Sequence, residues 1–229
     1  MSAFFRFPHT PHLAWLGEGE PRDDKVLSRQ ETVSFLEGPV VVEEKLDGAN
    51  IGISLDSSGS LRVQNRGQYL QAPYKGQFSR LNAWLGQYDP ILTELLTLDM
   101  ILFGEWCAAK HSLEYTDLPD WFLLFDVYDK AQKRFWSSSR RNELAKQAGL
   151  AMVPQMMREE VTLSDLKHLL VERDSVYRAG PLEGLVIRRE NEAWCEERAK
   201  LVRADFTQGM GEHWRRRQIE WNKVKLHAS

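Results

Sequence analysis

The sequence predicts an α+β domain built on antiparallel sheets flanked by helices. Two observations carry this reading. Apolar and β-branched strand segments arrive in clusters between helical ones, and the clusters lack the regular strand–helix–strand alternation of a parallel sheet. A chain of 229 residues suffices for one substantial core, so residues 1–229 are read as a single domain.

The elements follow in order. Residues 1–39 carry Pro8, Pro11, Pro21 and Pro39 with little periodicity, an irregular lead-in with one short helix. Residues 40–45 form a β-branched strand and 49–55 a second. A Ser57-Ser58-Gly59-Ser60 turn leads to a third at 61–64, as in an antiparallel meander. Apolar residues at helical spacing (Phe78, Leu81, Trp84, Leu85, Ile91, Leu95) predict a helix within 78–98, with Pro90 opening a second segment. Residues 101–106 and 121–128 read as buried strands. Residues 137–150 read as a helix with serine caps and Gly149 near its end. A short strand at 152–157, a helix at 162–173 capped by Thr162, and strands at 183–189 and 198–205 follow. A basic helix over 211–226 closes the chain. The motif-bearing core is thus 40–206, and 207–229 is a basic C-terminal helix.

Composition excludes several classes. No run of about 18 apolar residues exists, so neither a transmembrane helix nor a membrane partner is expected. The N-terminus lacks the basic flank and apolar stretch of a signal peptide. Cys107 and Cys195 give neither a disulfide framework nor zinc spacing, which suits a reducing cytosol and a cytoplasmic protein. Net charge is −3, yet residues 198–229 hold eight Lys/Arg against three acids, an asymmetry expected of a surface facing a polyanion.

The chemistry-bearing segment is Glu43-Glu44-Lys45-Leu46-Asp47-Gly48-Ala49-Asn50. A lysine ending an apolar strand, before a turn with Asp and Gly, sits where its amine can leave water. Desolvation and nearby cations lower a lysine pKa and free a nucleophilic amine. Glycine permits close backbone approach to a bound nucleotide. Alone, Lys-x-Asp-Gly is a weak signal that an ordinary surface turn also produces.

Further segments follow in a fixed order: Asn65-Arg66-Gly67, Phe103-Gly104-Glu105, Phe122-Leu123-Leu124-Phe125-Asp126, Glu183-Gly184-Leu185-Val186 and Arg198-Ala199-Lys200-Leu201-Val202-Arg203. Together with Lys45-Leu46-Asp47-Gly48, this ordered set resembles the covalent nucleotidyltransferase superfamily of ATP-dependent DNA ligases, RNA ligases and capping enzymes. Gly48-Ala49-Asn50, Phe-Gly-Glu and Phe-x-x-Phe-Asp are similar to the RNA ligase 2-like branch. The resemblance covers about two-thirds of the chain. It implies a nucleotidyltransferase (adenylation) domain of the ATP-grasp-like/DNA ligase type.

The implied function is ATP-dependent joining of RNA 5′-phosphate and 3′-OH ends through a lysyl-AMP, with ATP and Mg²⁺ (or Mn²⁺) as cofactors. The implied catalytic residues are Lys45, Glu183 and Lys200, with Glu183 at the metal. Glu44, Lys45, Asp47, Gly48, Arg66, Glu105, Phe122, Glu183 and Lys200 would bind the nucleotide, Phe122 stacking on the purine and Glu105 holding the ribose. Asn50, Arg66, Arg198, Arg203, Arg215, Arg216 and Arg217 would face the nucleic acid, with Trp214 and Trp221 beside the last three for stacking or for docking the helix.

The final motif departs from the family pattern. With Lys200 on the first lysine, Val202 occupies the second. Strand alternation puts 198, 200 and 202 on one face and makes Arg198 the same-face substitute, unless a bulge turns Arg203 inward. Only 26 residues follow Arg203, too few for an OB-fold. An accessory protein, or the terminal segments, would then replace that domain. Competing readings are a DNA or mixed-strand ligase, an RNA-end adenylyltransferase, and a non-catalytic nucleic-acid-binding module.

Overall fold

A computed structural model describes residues 4–19, 21, 25–208 and 219–225. Strands β1 (Val40–Lys45), β2 (Ala49–Leu55), β3 (Leu61–Gln64), β4 (Met100–Trp106), β5 (Phe122–Asp129), β6 (Arg134–Trp136), β7 (Gln155–Glu159), β8 (Gly184–Glu190) and β9 (Trp194–Val202) form one antiparallel sheet. Their order is β3-β2-β4-β5-β6-β9-β8-β1-β7. The helices are α1 (Arg29–Phe35), α2 (Leu81–Leu95), α3 (Ser138–Ala148), α4 (Leu163–Glu172) and α5 (Ala204–Gln208).

The sheet is covered in two halves. On one, Leu81, Trp84 and Leu92 of α2 and Leu144, Ala145 and Ala148 of α3 pack on Ile51 and Ile53 of β2, Leu102 of β4, and Phe122 and Leu124 of β5. On the other, Phe35 of α1 and Leu166 and Leu170 of α4 pack on Val40 and Val42 of β1, Leu185 of β8 and Leu201 of β9. The short β6 joins the halves, and a cleft opens between them.

Local chemistry explains most boundaries. Ser28 and Glu31 form a capping box on α1, and Thr162 and Asp165 form one on α4. Ser137 caps α3, and Gly149 ends it in the left-handed conformation with φ 66°. Pro90 does not divide α2. It and Gly86, whose carbonyl loses its i+4 donor, are both on the exposed side, where water can replace the missing bond. β7 begins three residues later than predicted. β9 begins at Trp194 and ends at Val202, with α5 where the strand was expected to continue. Of the predicted terminal helix, residues 219–225 instead run extended, bridging Trp221 to Ala109 and Val224 to Leu118; residues 211–218 and 226 lie outside the described residues.

One irregularity shapes the site. In the β4–β5 ladder Phe103 faces Asp126 but Gly104 faces Leu124, so Phe125 is an extra residue, a β-bulge. The bulge shifts the parity of β5: Phe122 and Leu124 before it, and Val127 after it, all face the α2–α3 core. The Phe125 carbonyl, out of the ladder, accepts from Arg141 Nη1 at 2.7 Å and Arg188 Nη1 at 3.2 Å. Both guanidiniums are buried. Arg141 also donates to Glu43 Oε1 at 2.6 Å. Arg188 donates to Asp126 at 2.9 Å and Glu190 at 2.5 Å, and Asp126 also accepts from Arg198.

Every carboxylate in this network depends on a guanidinium it cannot replace with water. Arg141→Leu is therefore expected to destabilise the chain by about 3–5 kcal/mol in chemical denaturation, because Glu43 loses its 2.6 Å partner and keeps only Arg188, at 4.0 Å. Adding Glu43→Gln should recover part of that loss.

Candidate active site

The cleft between the two halves spans about 760 Å³, counting the open solvent at its mouth. One wall is Glu44 and Lys45 of β1, Val186 and Arg188 of β8, and Arg198 and Lys200 of β9. The other is Asn50 of β2, Arg66 after β3, Glu105 of β4, and Phe125 and Asp126 of β5. Glu43, Leu46 and Val153, with Phe7 and Thr10 of the lead-in, complete the lining.

Backbone pairing sets the two ends of β1. Lys45 stands opposite Gly184, so the preceding Glu183 reaches the Lys45 amine, and Nζ donates to Glu183 Oε1 at 2.6 Å. The turn after Lys45 is tied down by its own atoms. Gly48 N–H donates to Glu105 Oε1 at 3.1 Å, and a Cβ on Gly48 would lie 2.7 Å from the Trp106 carbonyl. Asp47 Oδ2 accepts from the Ser112 and Leu113 amides, both at 2.7 Å. Asp47 and Gly48 do not line the cleft; they were expected to bind the nucleotide, but their polar groups hold the turn.

The amine does not have the lowered pKa expected from the sequence. Burial opposes its charge, but Glu183, Glu105 and Asp47 outweigh that and hold the Lys45 pKa above an ordinary lysine's. Burial pushes Glu105 and Glu183 up to about 7, against the pull of Lys45, with neighbouring carboxylates adding to it. The result is a cluster that retains protons.

Several acceptors here are unsatisfied by protein. Glu183 Oε2, Glu44 Oε1 and Asn50 Oδ1 are buried without a hydrogen-bond partner. Glu44 Oε2, by contrast, accepts from the Val176 amide at 2.9 Å. Among the described residues no group of three or more His, Cys, Asp or Glu forms a ready metal site. Glu183 Oε2 fits a divalent cation that takes its other ligands from water and substrate phosphate.

Phe122 is not in the cleft. It is fully buried against Trp84, and its ring fills the space over Gly104, where a Cβ would come within 2.2 Å of it. Phe125, which the bulge sets on the other side, lines the cleft instead, near Phe7 at 5.3 Å between ring centroids. Alternation along β9 holds without a bulge from 198 to 202, so Arg198 and Lys200 share the cleft face and Val202 is buried. Arg198 is ion-paired with Asp126 and lies over the rings of Phe7 and Phe135. Arg203 is outside the cleft lining and pairs with Asp205 at 3.1 Å. Arg215, Arg216, Arg217 and Trp214 lie outside the described residues. Arg66 stands exposed at the rim, on a turn closed by Asn65 Oδ1 accepting from the Gly67 and Gln68 amides.

Sequence reasoning missed Phe7 and Thr10. The lead-in that carries them pairs with β9, Lys200 N–H donating to Pro11 O at 2.8 Å and Leu13 N–H to Lys200 O at 2.7 Å. Prolines and absent periodicity hid this segment. It missed Glu43, Asp126 and Arg188 as cleft residues too, although Asp126 lay within a quoted motif.

The family model described as RNA ligase matches residues 38–202. No curated protein matches the chain. Among solved structures, a mutant Naegleria gruberi RNA ligase with ATP and Mn aligns with TM-score 0.58 and 17% identity, over 77% of this chain and 53% of that one. An archaeal ATP-dependent RNA ligase aligns with TM-score 0.59 and 21% identity, over 86% and 48%. A putative ATP-dependent DNA ligase from Aquifex aeolicus aligns with TM-score 0.57 and 21% identity, over 87% and 50%. At these identities the likeness is one of fold, and the chain spans about half the length of these proteins. No helix among the described residues is long and apolar enough to cross a membrane.

The cluster has a consequence for stability. A carboxyl at about 7 in the native state and near 4.5 when unfolded makes the native protein bind more protons between those values. Stability is then lost as pH rises through that window. Wild type and Glu183→Gln should melt together near pH 4, below both values, where Glu183 is largely protonated folded or unfolded. By pH 8 wild type should fall about 2–8 °C relative to the variant, as one to two kcal/mol produces in a chain of this size. A relative gain by wild type would mean that the ion pair outweighs burial.

Proposed function

Since the chain belongs to the RNA ligase family, we propose that it is an ATP-dependent RNA ligase joining 5′-phosphate to 3′-OH ends through an adenylate on Lys45. The observation that carries this reading is the Lys45 amine held 2.6 Å from Glu183, in a cleft that also holds Glu44, Asn50, Arg66, Glu105, Phe125 and Lys200. Amine, carboxylates and cations meet there on two facing walls.

Nζ of Lys45, its ammonium proton passed to water, attacks the α-phosphorus of ATP. An N–P bond forms with loss of a second proton to water, the bond from the α-phosphorus to the α–β bridging oxygen breaks, and pyrophosphate leaves with that oxygen. A 5′-phosphate oxygen then takes the adenylyl group and the lysine amine is released. Finally the 3′-OH attacks the activated 5′-phosphorus and AMP departs. Lys200 faces the cleft as a cation for phosphate oxygens. Mg²⁺ or Mn²⁺, when bound, supplies further charge neutralisation at the phosphates, and Glu183 would hold it. Engaging Glu183 in that way removes the nearest charge that keeps Lys45 protonated.

Phe125 and Phe7, rather than Phe122, offer the aromatic surface for the base. The unpartnered Glu44 Oε1 is an acceptor suited to the exocyclic amine of adenine; guanine carries a carbonyl at that position. Glu105 would hold the ribose, and Asn50 and Arg66 the strand end. Arg198, engaged with Asp126, supports the cleft wall.

Incubation with α-labelled ATP and Mg²⁺ or Mn²⁺ should leave label on denatured wild type and none on Lys45→Ala. Label on both would move the nucleophile elsewhere, and none on either would contradict the reading. Phe125→Ala should weaken ATP binding about tenfold, the loss of one aromatic stack, as read by titrating the labelling with ATP. RNA and DNA strands with 5′-phosphates, offered in parallel, identify the acceptor.

A further inference from the structure

None of residues 219–225 lines the cleft, yet their hydrogen bonds run to the 107–118 loop, which in turn holds the turn after Lys45. Asn222 is 2% exposed, and its side chain is fully engaged. Oδ1 accepts from the Tyr115 amide at 2.9 Å, and Nδ2 donates to the Cys107 carbonyl at 2.8 Å and the Ala109 carbonyl at 3.3 Å. Backbone bonds run alongside: Asn222 N–H to Ala108 O at 3.0 Å, Lys223 N–H to Tyr115 O at 2.9 Å, and Lys225 N–H to Leu118 O at 2.8 Å. Residues 107–118 contain no helix or strand of their own, so these bonds supply much of what orders them.

The same loop grips the lysine turn from the other side. Tyr115, fully buried, accepts the Asp47 N–H on its hydroxyl at 2.8 Å, while the Ser112 and Leu113 amides hold the Asp47 carboxylate. Leu46 packs beside Leu113, Tyr115 and Val224 in one apolar cluster. Trp221 is fixed in turn by Arg80, whose guanidinium lies 4.2 Å from its ring centre.

We propose that residues 219–225 form a clasp that presets the nucleophile, with Asn222 and Tyr115 as positioning residues acting on Lys45 through the 107–118 loop and Asp47. This rests on the reading of Lys45 as the adenylylated residue. Without Asn222, two buried carbonyls and one buried N–H lose their partners. The loop then loosens, and the amine is no longer held where it meets the α-phosphorus. Displacements of about 1 Å suffice to cost up to a hundredfold in rate.

The test uses Tyr115→Phe, which deletes only the hydroxyl, together with Asn222→Ala and the double variant. At saturating ATP each single variant should transfer label about tenfold more slowly than wild type. The ATP concentration for half-maximal rate should be unchanged, because the cleft wall is intact. The double variant should be little slower than either single one, as for two residues in one chain of contacts. A second readout needs no ATP: acylation of the Lys45 amine by a small succinimidyl ester, followed by peptide mass spectrometry. It should be faster in both variants as the hold on Lys45 relaxes. Unchanged acylation in Tyr115→Phe, or multiplicative losses in the double variant, would overturn the clasp. Absence of label on wild type itself would instead overturn the Lys45 reading, with the acylation rates still deciding whether the clasp holds this lysine.

Discussion

Antiparallel pairing of β1 with β8 is the constraint on which the site depends. Its register sets Lys45 opposite Gly184 and thereby puts Glu183 against the amine. β8 is shared, with β1 on one side and β9 on the other, and Val186 faces Glu43 on β1 and Lys200 on β9. One strand therefore aligns the lysine, the acid and the second cation together. A slip of β8 by one residue would break this alignment. Gly184 keeps the strands close: a Cβ there would lie 2.6 Å from the Leu201 carbonyl.

Two charge clusters share this frame and differ in kind. Beneath the cleft, Glu43, Asp126 and Glu190 meet Arg141, Arg188 and Arg198, carboxylate for guanidinium, with the freed Phe125 carbonyl drawn in. Such a network is internally satisfied and fixes the shape of the floor. At the turn after β1 the balance is broken. Lys45 faces Glu183, Glu105 and Asp47, and buried oxygens of Glu183, Glu44 and Asn50 lack donors. Protons retained at Glu105 and Glu183 relieve part of the repulsion in the ligand-free protein. A cationic or hydrogen-bond-donating ligand would relieve it better, which is the physical sense in which this half of the cleft is prepared and the other half merely built.

Much of this was legible in the sequence. The three strands at 40–45, 49–55 and 61–64 match residue for residue, because β-branched runs and a Ser-Ser-Gly-Ser turn act locally. Lys45, Glu44, Asn50, Arg66, Glu105, Lys200 and Arg198 do gather at one cleft, and Glu183 joins them through Lys45. What was hidden depends on distant partners. The Phe125 bulge exists only relative to β4, so Phe122 and Phe125 could not be told apart by spacing. Pro90 is harmless because its face of α2 is exposed, a tertiary fact. The sequence marks 219–225 as part of a basic helix, whereas buried acceptors in the 107–118 loop draw Asn222 and its neighbours into an extended course.

The central claim is that Glu183 holds the Lys45 amine as an ammonium until ligands intervene. Its most direct test is titration of that single amine by nuclear magnetic resonance in wild type and in Glu183→Gln, with Lys45 assigned from Lys45→Arg. The pairing predicts a wild-type value above the ordinary lysine range of about 10.4 and a clear fall in the variant. Equal values in the two proteins would contradict it, and would leave the 2.6 Å contact without the electrostatic role assigned to it.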